Sequence, residues 1–225
     1  MVVSALLLCN TLKAQVDEDK LGAWYMYFWN TRLKEGPWGF QGDLQYRNWN
    51  AMGDLEQLLL RGGLTYTPKS AEVTFTLGYG HITTGDYGSS NDRTVTESRI
   101  YQEVLLPHKV GSIFYLKHRF RYEQRWVEDQ DFRTRYRYNL FVTVPLNSKT
   151  IDRKSLYLSF YNELFINGER NIGKGRTVEL FDRNRTYGAL GYAIRKNLAV
   201  QFGLMHQVTN SWGKNQLQVS LHHTW

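Results

Sequence analysis

The feature that most constrains this chain is the length of its alternating segments. Eleven stretches carry strand composition: 21–31, 38–49, 55–66, 72–83, 94–106, 112–127, 132–144, 156–166, 181–194, 198–208 and 216–225. Most are ten to sixteen residues long. Strands of soluble proteins usually run about five or six residues, whereas a tilted strand that crosses a bilayer needs about nine to eleven. A mean hydropathy of -0.50 is too polar for a helical membrane protein. No run of about 18 apolar residues occurs, so a spanning helix is excluded. A barrel meets neither objection, because one face of each strand is free to be polar. The 42% hydrophobic and 15% aromatic content would also suit a soluble sandwich or a lipocalin-like barrel, so totals alone do not choose.

Alternation chooses. Side chains two apart share a strand face. In 112–127 one face reads Phe114, Leu116, His118, Phe120, Tyr122, Trp126 and the other Tyr115, Lys117, Arg119, Arg121, Glu123, Arg125. In 132–144, Phe132, Tyr136, Tyr138, Leu140 and Val142 oppose Arg133, Arg135, Arg137, Asn139 and Thr143. Stretch 38–49 sets Phe40, Leu44, Tyr46 against Gln41, Asp43, Gln45, Arg47, and 216–225 sets Leu217, Val219, Leu221, Trp225 against Gln218, Ser220, His222. The pattern runs the full length of nearly every segment, with aromatics toward the ends, as interfacial girdles require. Short turn signals at 34–37, 68–70, 107–111 and 196–197 alternate with longer polar connections at 84–93, 167–180 and 209–215; only 145–155 is long for its place. The prediction is an antiparallel transmembrane β-barrel of 10–12 strands. Bacterial barrels have even strand numbers, so eleven segments point to ten or twelve, with twelve preferred.

The first residues read as export. Met1 to Leu8 is apolar, and Leu12-Lys13-Ala14-Gln15 offers a small residue at a cleavage site, although a cationic start is missing. The expected layout is a signal peptide over 1–14 and a barrel domain over 15–225. Cleavage would remove Cys9, the one cysteine, and leave no disulfide or thiolate site. A lipoprotein reading through Cys9 meets Leu6-Leu7-Leu8, which lacks the small residues of a lipobox. At the other end Trp225 closes the last strand, which is the form of terminal signal that outer-membrane barrels present to their assembly machinery.

Arginine is the candidate functional element. Arg47, Arg61, Arg99, Arg119, Arg121, Arg125, Arg133, Arg135, Arg137, Arg183 and Arg185, with Lys117, fall on the polar face, where Asp43, Glu103, Glu123 and Glu163 are the available partners. Arginine on a lipid face costs about 2–4 kcal/mol near the midplane, so these side chains belong in the lumen. Two uses compete: an Arg–Glu–Tyr network holding strands in register, and a cationic path or site for small anionic solutes such as sugar acids, phosphates or lipid head groups. A third reading, an outer-membrane lipid-modifying enzyme of the acyl-hydrolase kind, has less to stand on. His118, His81 and His206 face outward, and Ser98, Ser112 and Ser159 form no triad spacing with them. His222 and His223 sit on opposite faces and make a poor metal pair, and Gly173-Lys174-Gly175 lacks the strand and helix of a P-loop. No cofactor is expected. The net charge of +7 does not form an exposed patch, which argues against nucleic acid.

Taken in order, several segments resemble one known family. Phe120-Arg121-Tyr122-Glu123-Gln124-Arg125-Trp126 and Phe132-Arg133-Thr134-Arg135-Tyr136-Arg137-Tyr138 look like the DUF2490 family of bacterial outer-membrane proteins. Leu44-Gln45-Tyr46-Arg47, Arg61-Gly62-Gly63-Leu64, Leu77-Gly78-Tyr79-Gly80, Asn162-Glu163-Leu164-Phe165 and Arg183-Asn184-Arg185 extend the similarity over most of the chain. The Ala14-Gln15 junction is of the kind seen in Bacteroidetes-type exported proteins. The resemblance implies a β-barrel in the outer membrane of a Gram-negative bacterium, in contact with its lipids, and no established activity.

Overall fold

A computed structural model of the chain describes residues 16–88 and 93–225. The expected signal peptide, Cys9 and the Ala14 cleavage site lie outside them. The described residues form eleven strands and no helix: β1 (Gly22–Arg32), β2 (Trp38–Asn48), β3 (Leu55–Tyr66), β4 (Thr74–Gly85), β5 (Thr94–Val110), β6 (Phe114–Val127), β7 (Arg133–Pro145), β8 (Leu156–Asn167), β9 (Phe181–Arg195), β10 (Leu198–Val208) and β11 (Gly213–Thr224). Each runs for eleven to seventeen residues. Every strand pairs with its chain neighbour, and β1 pairs with β11 to close the barrel.

The closure corrects the even-number expectation. All eleven segments are strands, and among the described residues none is split and no twelfth strand is present. In an up-and-down chain of eleven, the first and last strands point the same way. Closure must then be parallel, and β1 runs alongside β11 from Gly22↔Gln216 to Asn30↔Thr224. The other ten pairings are antiparallel.

Alternation sorts the wall as its pattern requires. Outward side chains are apolar and open to the surroundings: Leu77 is 59% exposed, Phe202 60% and Leu204 57%. Inward ones are polar or charged and buried. Aromatic pairs sit toward the strand ends, Trp126 with Phe132 at one rim and Trp38 with Tyr66 at the other. Some inner rings need glycine opposite. A Cβ at Gly78 would overlap the Tyr101 ring, and one at Gly191 would overlap Tyr157. Trp24, Tyr187, Ala189 and Met205 form an apolar cluster inside, with Met26 and Tyr161 against it.

The upper rim carries connections 49–54, 128–132, 168–180 and 209–212, with 86–88 and Arg93 flanking β4 and β5 there; the lower rim carries 33–37, 67–73, 111–113, 146–155, 196–197 and Trp225. Two expected connections are shorter than the sequence implied. β5 continues through Pro107 to Val110, where it overhangs the end of β4, an edge position that tolerates proline. β11 starts at Gly213, because Lys214 continues the inward parity of Gln216. The long 168–180 connection folds onto the β6–β7 turn, where Lys174 pairs with Asp129 at 2.7 Å and the Asp131 backbone N–H donates to the Ile172 carbonyl. The Lys174 hydrogen bond holds the Asp129 carboxyl below its usual range. Gly173, Lys174 and Gly175 all have positive φ, so this motif is the tip of a tight loop.

Candidate functional site

The ladder on β6 and β7 would repel itself without acids between its rungs. Arg99 faces Arg125 across β5–β6, and Arg121 faces Arg137 across β6–β7. Like charges placed directly opposite destabilise a sheet. Glu123, fully buried, relieves this at the centre. Its carboxylate accepts from Arg135 Nη2 and Arg137 Nη1, each at 2.6 Å, with Arg121 and Arg99 at 3.8 and 3.9 Å. Glu163 reaches in from β8 and accepts from Arg119 at 2.6 Å and Arg137 at 2.5 Å. Glu103 accepts from Arg121 at 2.5 Å, with Gln41 donating to its other oxygen at 3.0 Å. Asp43 takes Arg61 at 2.9 Å.

All the arginines singled out by alternation are thus on the inner face, and all four expected acids are paired there. Lys117 faces inward too, at the lower mouth, exposed, with its ammonium 6.0 Å from the Phe141 ring. Three further carboxylates complete the network. Glu97 bridges Arg99 and Arg125, at 2.5 Å to each Nε; its parity with Arg99 made it readable from the strand pattern. Asp182 pairs with Arg135 at 2.9 Å, and Glu56 accepts from Trp24 Nε1 at 2.8 Å. Both sit at register shifts, where a β-bulge turns a residue of outward parity into the lumen. Alternation could not have found them. Lys214 is a further buried cation, capped by the carbonyls of Asp17 and Lys20 at 2.5 Å for Lys20.

The balance stays cationic. Eleven inward arginines face seven inward carboxylates among the described residues. The shortfall is local. Arg47 is bonded only to amide oxygens, those of Gln45 and Gln57, and lies 3.8 Å over the Trp24 ring. Arg185 donates to Gln207 at 2.7 Å, stands 4.0 Å from Glu163, and has Trp24 and Phe165 each 4.8 Å away. Arg133 Nε is buried without a partner. Beside Arg47 and Arg185 lies a cavity of about 40 Å³ lined by eight arginines with Gln57, Leu59 and Phe165. No carboxylate belongs to that lining.

A second, larger recess of about 730 Å³ is mostly apolar and is lined largely by outward residues of β2 to β8, such as Trp38, Phe75, Leu77, Phe120 and Tyr136. No serine, cysteine or histidine lines it. Of the outward histidines, His118 contacts the Tyr138 hydroxyl and His206 contacts Asn215. Among the described residues one Ser–His contact lies inside, Ser220 Oγ to His222 Nε2 at 2.9 Å, and His222 stacks on Phe28 with no carboxylate partner there. His223 faces the other way, toward Tyr27. Among the described residues no three His, Cys, Asp or Glu side chains gather with metal-ligand geometry.

Searches of curated proteins and of solved structures return no match. The family model described as "Protein of unknown function (DUF2490)" matches residues 21–218, from the start of β1 into β11 and across every arginine of the network. The chain therefore belongs to the DUF2490 family.

Proposed function

We propose that this protein is an outer-membrane β-barrel whose cationic lumen binds small anionic solutes and is closed to their steady passage. The observation that carries the reading is the buried Glu123 knot, in which side chains from β5, β6 and β7 meet at ion-pair distance, with Glu163 of β8 joining through Arg137. An open pore would leave these groups in water. The excess of arginine over carboxylate supports anions inside, because unpaired buried charge is costly.

Exposed apolar faces on long strands support a lipid environment, with longer loops outward and Trp225 at the periplasmic rim as an assembly signal. The reading is non-enzymatic. The Ser220–His222 contact lacks the acid that would orient an imidazole base, and a lipid-hydrolysis assay of wild type and His222→Ala checks that point. The main test is planar-bilayer recording of the purified protein. The expected result is no steady anion-selective current; stable open-channel conductance would overturn the closed lumen. Solubility without detergent would overturn the membrane assignment.

A further inference from the structure

We infer that the corner of the lumen formed by Arg47, Trp24 and Arg185 is a binding site for one compact tetrahedral oxyanion of the phosphate class. The inference rests on the closed, anion-binding lumen proposed above and specifies its ligand. Three independent features converge on it.

The first is donor supply. A guanidinium has five N–H donors. Arg47 uses three of its own on Gln45 and Gln57, and Arg185 uses one on Gln207. Neither has a carboxylate within hydrogen-bond distance. Both planes rest on the Trp24 ring, and Arg185 also on Phe165, so their edges are held toward the cavity. A planar fork held in this way suits bidentate binding of an oxyanion.

The second is charge. Arg61, Arg99 and Arg183 join the lining, and every carboxylate of the network lies outside it. Six of the eight lining arginines reach carboxylates outside the cavity, so the charge left over is that of Arg47 and Arg185, which a doubly charged guest offsets. The third is size. A buried water needs roughly 10–15 Å³ of cavity, so about 40 Å³ admits the few oxygens of a single tetrahedral oxyanion and excludes a sugar acid. Access is from the upper mouth, where the Arg183 side chain is 24% exposed while those of Arg61, Arg99 and Arg185 are 6–7% exposed.

The test uses the full barrel in neutral detergent and phosphate-free buffer. Inorganic phosphate is titrated calorimetrically at constant ionic strength, and protein denatured before titration is assayed for retained phosphate. The expected result is one phosphate per barrel, retained or taken up, with about tenfold weaker binding in Arg47→Gln and in Arg185→Gln, the loss of a charge-assisted hydrogen bond. Lys196→Gln, the same charge change in the lower-rim turn, should bind as wild type. Glycerol phosphate in a parallel titration separates the sources: weaker binding assigns the free ion, equal binding a phosphomonoester head group. No phosphate retained or bound, or equal weakening by Lys196→Gln, overturns the site. If phosphate binds as expected while the bilayer shows steady current, the closed lumen fails and the site stands.

Discussion

Glu123 is the residue on which the interior depends most. It has no contact with water, and four arginines crowd its two oxygens. Such a cluster is weak evidence of net stability, since desolvation offsets much of the attraction, yet removing one partner strands the others. Glu123→Gln keeps the shape and leaves Arg135 and Arg137 short of a counter-charge. It should destabilise the barrel by about 3–5 kcal/mol, measured as a lower urea midpoint in detergent. Glu179→Gln is the control, because its pair with Arg170 is exposed and such pairs contribute about 0–1 kcal/mol. At this scale the arginine ladder was readable from parity alone. Glu97 obeys the same rule, since it shares the parity of Arg99. Glu56 and Asp182 do not, because a bulge reverses the parity on which the rule relies.

Each strand is a two-sided element, and its inner side must fit a small lumen. Gly78 on β4 and Tyr101 on β5 are directly paired, and the ring occupies the space that a β-carbon would take. Gly78→Ala should therefore cost about 1–3 kcal/mol through overpacking. Combined with Tyr101→Leu the penalty should shrink, giving a coupling energy between the two sites in a double-mutant cycle. Purely additive effects would mean that the ring does not lie over the glycine. Strand positions were legible to within a few residues because period-2 patterning is local. The ends of β5 and the start of β11 were less so. Pro107 reads as a turn in isolation, and only the overhang beyond β4 makes it acceptable within a strand.

The whole molecule turns on one parallel pairing. Tyr25 and Val219 face outward as partners across β1–β11. In a Cys9→Ala background, Tyr25→Cys with Val219→Cys should form a disulfide on mild oxidation, whereas Tyr25→Cys with Leu221→Cys, two residues out of register, should form little. The readout is a gel shift that disappears on reduction. Equal yields from the two pairs would refute the closure.

What the amino-acid sequence determined by itself was the wall: long strands, one apolar face, one cationic face, and the residues on each. These follow from alternation within each strand, which needs no knowledge of neighbours. The tertiary structure decided how many strands close, that the last pairing is parallel, which acid meets which arginine, and where cation is left over. Those depend on the register between strands, on two bulges and on distances across the lumen. The surplus around Arg47 and Arg185 exists only because seven carboxylates, drawn from six strands, all meet other partners first.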